Sequence, residues 1–190
     1  MNRKTEDKLD QIFDATLRLT GQVGIAGLKM SIIAKEASIA SGTLYLYFKS
    51  KEALLNALYG KLQKEGAMGI TGEIHHLPIH IQLYKMWSVA LKSLVTNNLR
   101  LIFLEQFVVS PYISDTSKDT DATFTRYLNQ LLNQGKREGL IQDADNDMLI
   151  SLIIGFVRNF SFHLVHHRKG QLSDKLIDES FSLCWNAIKK

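Results

Sequence analysis

An all-α fold is predicted for this 190-residue chain, and three observations predict it. Apolar residues recur at intervals of three and four from Leu9 to Ile188, and the two-residue alternation of a half-buried strand does not compete with them. Only two prolines and 12 glycines punctuate the chain, too few for a loop-rich fold. Hydrophobic residues make up 45% of it, enough to bury one substantial core and a small satellite domain. About nine helices are expected, divided between a short N-terminal unit over 1–52 and a larger unit over 53–190.

The first helix runs through Leu9, Ile12, Phe13, Thr16, Leu19, Thr20 and Val23, with Glu6 and Asp7 in its first turn and Gly24 as its stop. Helix two begins near Lys29 to Ser31. Its residues Ile33, Ala34 and Ala37 form a small apolar face that another helix can cross closely. Ser38-Ile39-Ala40 supplies the turn, with Ile39 plugging the angle between helices. Helix three opens near Ala40 or Ser41 and places Leu44 and Phe48 together at i, i+4. Ser41, Thr43, Tyr45 and Tyr47 are then expected on the opposite face. Hydroxyls and phenols without carboxylates suit phosphate oxygens and base edges, so the run reads as a helix-turn-helix that touches DNA. Lys29, Lys35, Lys49 and Lys51 face one acid, Glu36, a local charge of +3 in a chain of +4. That modest excess fits a dimer in which two such modules share one duplex.

Helix four is capped by Ser50 and continues through Leu54, Leu55, Leu58 and Leu62, which makes it a lever between the two parts. Gly66, Gly69, Gly72 and Pro78 mark a junction. The next helix carries Ile81, Tyr84, Trp87, Leu91, Leu94 and Val95, and another covers Leu99 to Val109 before Ser110-Pro111. Ser114 to Asp121 reads as a polar surface connection. Phe124, Tyr127, Leu128, Leu131 and Leu132 define a helix ending near Gly139. Asp143 or Asp145 caps a helix containing Met148, Leu149, Leu152, Ile153, Phe156, Val157 and Phe160. The last helix starts at Ser173, with Leu172 and Ile177 placed as a hydrophobic staple. These final two helices are too apolar for a monomer's surface. Leu152, Gly155, Phe181, Trp185 and Ile188 are therefore expected to meet a second copy in a four-helix bundle.

Ile33-Ala34, Ala37, Gly42, Leu44-Tyr45, Tyr47-Phe48, Lys51 and Leu54 together resemble the signature of the TetR family of bacterial transcription regulators, a GxLYxYFxxKxxL string after IAxxA. The resemblance implies a three-helix DNA-binding unit and a larger C-terminal domain that dimerises and binds an inducer. It also implies that Thr43, Tyr45 and Lys51 contact phosphates, and all three are donors. Ser41 and Gly42 open the reading helix, where the backbone can approach a phosphate. Tyr47 has an apolar body and a polar tip, so packing and DNA contact stand equal for it. Lys29 and Ser31 edge helix two and reach DNA from the flank, whereas Lys35 and Lys49 act as solvated charges. Three positions depart from the pattern: Ser38 stands where glycine is usual, and Ala40 and Lys29 stand where capping residues are usual.

Trp87, Phe103, Phe107, Tyr112, Phe124, Tyr127, Phe156, Phe160 and His163 lie on helices expected to surround an effector cavity. Glu105 either faces water or offers a carboxylate to a cationic ligand. His163, His166 and His167 share a helical face yet want a further ligand for a metal site, and Glu73 with His76 makes only half of a di-iron motif. Neither a metal nor a cofactor nor a catalytic residue is expected. Cys184 is alone, which suits a reducing cytosol. The charged N-terminus leads straight into an amphipathic helix, and the run Met148 to Val157 is too short to span a bilayer. The expectation is a cytoplasmic, homodimeric, ligand-responsive regulator, usually a repressor, on a near-palindromic double-stranded operator. A helical-bundle enzyme or metal carrier is the alternative from another class, without a P-loop, H-E-x-x-H or nucleophile motif to support it. A regulator of the same family without an inducer is the third.

Overall fold

The computed structural model describes residues 3–71 and 74–190, with side-chain surroundings outside 3–6, 66–73 and 116–123. Among the described residues nine helices form: α1 (Arg3–Gly27), α2 (Met30–Glu36), α3 (Ser41–Tyr47), α4 (Lys51–Thr71), α5 (Ile79–Thr96), α6 (Asn98–Phe107), α7 (Asp115–Arg137), α8 (Asn146–His167) and α9 (Asp174–Ile188). No strand forms among them. One antiparallel bridge, Ile141 with Lys189, ties the α7–α8 connection to the chain end.

The start signals act as their chemistry requires. Ser50 Oγ accepts from Ala53 N at the head of α4. Asp145 caps α8 through the amides of Asp147 and Met148, and Ser173 caps α9 through that of Leu176. Gly24 sits at φ 69°, ψ 167° and breaks α1 one turn before its end. Two elements run further than their composition suggests. α4 continues through Gly66 and Gly69 to Thr71, and α7 begins at Asp115, where a surface connection was expected. The remaining junction residues Gly72 and Glu73 lie outside the described residues.

The chain divides into two compact units, Met1–Leu62 with Leu99–Lys118, and Gln63–Asn98 with Asp119–Lys190. The expected boundary at residue 52 is thus displaced, for a physical reason. Leu54, Leu55, Leu58, Tyr59 and Leu62 of α4 are buried in one core with Ile12, Ile33 and Leu44, and α6 adds Phe103 and Phe107 to that core. The Phe103 and Phe107 rings stack 5.3 Å apart, and Tyr59 meets Phe107 at 5.1 Å. Each fully buried side chain of this size contributes about 1.5–3 kcal/mol, so α6 is a full member of the first unit.

In the second unit α5, α8 and α9 pack together, and α7 joins them around Trp87, Leu91, Leu128, Leu132, Leu149, Ile177, Phe181 and Cys184. Trp87 Nε1 donates to Ser180 Oγ at 3.0 Å, satisfying both buried groups. Burial pushes the Cys184 thiol up to about 12, which keeps it protonated and unreactive. α8 is long and apolar enough to cross a membrane by length and composition, contrary to the short run read from sequence. Its apolarity is divided between Leu149, Ile150, Val157 and Leu164, which are buried, and Met148, Leu152 and Phe162, which are exposed.

At the end of α7 the backbone closes onto Gly135, whose carbonyl accepts from Leu140 N and Ile141 N. A Cβ at Gly135 would lie 2.5 Å from Ile141 Cδ1 and 2.8 Å from Cγ1, and Ile141 is buried at 1% exposure. Gly135→Ala is accordingly expected to destabilise the chain by about 1–3 kcal/mol in chemical denaturation, despite alanine's better helix propensity.

Candidate nucleic-acid interface

Seven residues each make α2 and α3, too few to persist alone, so both depend on the face they bury. α2 buries Met30, Ile33 and Ala34, followed by Ala37; α3 buries Leu44, followed by Phe48. The Phe48 ring packs 5.7 Å from that of Phe13 on α1. Between the helices Ile39 is half-buried against the same core, and its amide donates to Ala34 O. Ser38 has φ 55°, the left-handed conformation that glycine supplies without strain. Lys29 and Ala40 precede their helices with no side-chain cap.

With Leu44 and Phe48 inward, the outward face of α3 consists of Ser41, Gly42, Tyr45 and Leu46. This corrects the expected set. Residues two apart in a helix point 200° from one another, so Ser41, Thr43, Tyr45 and Tyr47 do not share one face. Thr43 and Tyr47 are half-buried on the flanks, and Tyr47 packs against the first core. Tyr45 is 51% exposed and Leu46 86% exposed. Leu46 lies outside the expected set because that set is chosen by donor groups, although the spacing i, i+1, i+4, i+5 from Ser41 identifies it. In the segments before and after α3 Lys29, Ser31, Lys35 and Lys49 are all exposed. Glu36 is engaged by Arg18, Nε to Oε1 at 2.9 Å, so the sole acid between Lys29 and Lys51 is countered.

Lys51 is turned away from the role expected of it. Its Nζ donates to Ile25 O at 3.3 Å and Leu28 O at 3.2 Å, and it lies 4.3 Å from the centroid of the Tyr112 ring. The ammonium thus binds the carbonyls at the frayed end of α1, with the ring supplying a cation–π contact. Gln106 holds the amide of the same residue, its Oε1 accepting from Ile25 N at 2.9 Å. Asn56 completes the attachment by donating to Tyr112 O at 2.7 Å and accepting from Ser114 N at 2.9 Å.

Phe103, Phe107 and Tyr112, expected around an effector, therefore belong to the first unit's packing. Glu105 lies in that unit too and is half-buried. The remaining aromatics of the expected set stay in the second unit. Trp87 meets Phe156 at 5.2 Å, and Phe156 meets Phe160 at 5.6 Å. Phe124 and Tyr127 are partly buried against the same core. Tyr127 Oη donates to Gln82 Oε1 at 2.5 Å, and desolvation raises its pKa. His163 is exposed, which removes it from a buried pocket. Among the described residues no group of three or more His, Cys, Asp or Glu is placed to hold a metal ion. Of the expected dimer residues, Phe181 and Ile188 are buried in their own subunit's core. The outward positions of α8 and α9 are Met148, Leu152, Phe162 and Leu183, with Gly155 opening onto free space and Trp185 half-buried.

Residues 12–58 match the family model of the bacterial regulatory proteins of the tetR family, and residues 68–190 match the tetracyclin repressor-like C-terminal domain. The chain belongs to the TetR family. An uncharacterized HTH-type transcriptional regulator of Haemophilus influenzae is 28% identical over 100% of both chains. The crystal structure of a TetR family transcription regulator from Marinobacter aquaeolei superposes with TM-score 0.90 at 19% identity over 100% of both chains. FadR of Bacillus subtilis, solved in complex with stearoyl-CoA, superposes with TM-score 0.77 at 20% identity, covering 94% of this chain and 98% of that one. The last two are likenesses of fold.

As a TetR-family member the chain is a DNA-binding transcriptional regulator, and its helix-turn-helix spans α2 and α3 inside the matched 12–58 segment. Two outcomes follow from the geometry of this unit. Lys51→Met is expected to cost about 2 kcal/mol of stability while leaving the salt dependence of DNA binding unchanged. A direct phosphate contact would instead lower the slope of log K against log salt by about 0.9 per subunit. Ser38→Gly is expected to stabilise the chain by up to about 1 kcal/mol, since relief of the left-handed strain exceeds glycine's entropy cost. A lower denaturation midpoint in the glycine variant would contradict the strained turn.

Proposed function

We propose that two copies of this chain bind a near-palindromic operator as a repressor, and that a small-molecule effector with a long apolar part releases them. The observation that carries this reading is the outward face of α3, Ser41, Gly42, Tyr45 and Leu46, in a segment whose Lys29, Lys35 and Lys49 are exposed. A helix presented in this way enters a major groove. Two copies then read half-sites about 34 to 36 Å apart or a multiple of that distance.

The second copy is supported by the apolar positions left outside on α8 and α9. Met148, Leu152 and Phe162 follow helical spacing with Gly155 among them, and Leu183 is 65% exposed. Pairing these faces between copies hides surface that a monomer would expose to water. The effector is assigned to the second unit, among Trp87, Phe156, Phe160, Phe124 and Tyr127, where Tyr127 and Gln82 offer a polar handle. The fold shared with a FadR that holds stearoyl-CoA supports a ligand with a long apolar part. α4 belongs to both units, since it starts at Lys51 and ends at Thr71 across the division after Leu62. An effector that binds one conformation of the second unit better shifts α4, and only that difference in affinity moves the operator equilibrium. The chain is on this reading a regulator and not an enzyme, working in the cytoplasm beside its operator.

Leu152→Asp together with Leu183→Asp tests the paired state. Sedimentation is expected to show a monomer with unchanged helicity, and operator affinity is expected to fall by about 100-fold as the two reading heads lose their linkage. A double variant that remains dimeric contradicts the assigned surface. Fatty acyl-CoAs serve as effector probes. Release of the operator by micromolar stearoyl-CoA, with a change in Trp87 fluorescence in a Trp185→Phe background, supports the assigned site, and an unaffected complex contradicts it.

A further inference from the structure

Leu46 is 86% exposed, the most exposed of the large apolar side chains among the described residues, and it stands on the short α3 helix assigned to DNA. Its neighbours explain why that position is not a loose end of the core. Leu44 and Phe48 fill the inward side completely, Tyr47 packs on the flank, and Gly42, one turn before Leu46, has nothing within 4 Å of where a Cβ would lie. Gly42 and Leu46 therefore make one open step on the surface, a bare backbone beside an uncovered isobutyl group. The hydroxyl of Ser41 and the phenol of Tyr45 flank it, and Lys49, just past the end of α3, is exposed.

A major groove displays hydrogen-bond donors and acceptors on every base pair, but only one apolar feature, the C5-methyl of thymine. Leucine has no donor or acceptor to offer a base edge or a phosphate. Against guanine or cytosine edges it would strip water from polar atoms and return nothing, at a cost. Against a thymine methyl it exchanges two wet apolar surfaces for one dry contact. We propose that Leu46 is a specificity-determining residue that reads a thymine 5-methyl group in each operator half-site, while Tyr45, Ser41 and the surrounding lysines supply contacts that position α3. This rests on the assignment of α3 as the DNA-reading helix. The open backbone at Gly42 lets the helix approach closely enough for a side chain as short as leucine to reach the base edge.

The experiment uses the full-length chain. An operator is first selected from a random duplex pool, and each thymine of a half-site is then replaced in turn by deoxyuridine, which removes one methyl and nothing else. Burial of one methyl sets the expected scale at about a three- to tenfold loss of affinity for one substituted position per half-site. Leu46→Ala, a change on the exposed face that leaves the fold intact, is expected to bind the thymine and deoxyuridine duplexes equally at that position, with the salt slope of the native chain. Leu46→Gln is expected to shift the selected base there from thymine to adenine, whose N6 and N7 it can pair.

If no deoxyuridine substitution weakens the native chain, or if the sensitive position stays equally sensitive in Leu46→Ala, Leu46 does not read a methyl and the proposal falls while salt-dependent binding keeps the DNA assignment of α3. A chain that selects no duplex even at low salt overturns that assignment and this proposal with it.

Discussion

The peptide of Ile25 holds the first unit together, because the chain there has left the helix without leaving the interior. Gly24 breaks α1 at a backbone angle that L side chains resist, and past the break the Ile25 carbonyl keeps a turn bond from Leu28 N at 3.3 Å. Buried backbone groups without partners cost more than a typical hydrogen bond returns. Gln106 from α6 takes the amide and Lys51 from α4 takes the carbonyl. The same Gln106 oxygen would lie 3.3 Å from a Cβ at Gly24, so the break and its repair require each other. Two helices distant in sequence are thereby tied to the point from which α2 and α3 depart.

This constraint sets what the reading helix can be. α2 and α3 are short, uncapped and joined through a strained serine, and their own propensities do not hold them. They are held by burial of Ile33, Ala34, Leu44 and Phe48 in a core that α4 and α6 complete. The polar and apolar groups left outside, Ser41, Gly42, Tyr45 and Leu46, are consequently presented on a rigid support. A support of that kind lets contacts only a few atoms wide discriminate between bases.

Much of this was legible in the sequence. Helical periodicity placed the elements, and the caps at Ser50, Asp145 and Ser173 fell where short polar side chains precede apolar runs. Ser38 in place of glycine correctly marked a turn residue, and its positive φ explains why glycine is usual there. What periodicity lacks is the identity of the surface an apolar face meets. Phe103 and Phe107 read as inward-facing, and they are, but the core they fill is that of the first unit. Phe181 and Ile188 likewise face a core of their own subunit, leaving Leu183 and Met148 on the outside. Lys51 shows the corresponding limit for charge, since a basic residue beside a DNA-reading helix is as able to bind carbonyls as phosphates, and only the position of the α1 terminus decides. In α3 residues two apart look alike in sequence, yet helical geometry separates Ser41 and Tyr45 from Thr43 and Tyr47.

α6 is a structural part of the unit that carries the helix-turn-helix. Native-state hydrogen exchange on the full-length chain tests it most directly, because amides that open in one cooperative event share one free energy of exchange. The slowest amides of α6, at Phe103 and Phe107, are expected to open with the same free energy as those of Ile33 and Leu44, and Gln106→Ala is expected to lower all four together. Exchange of the α6 amides in step with Leu91 and Leu149 of the second unit, independent of Ile33 and Leu44, would contradict it.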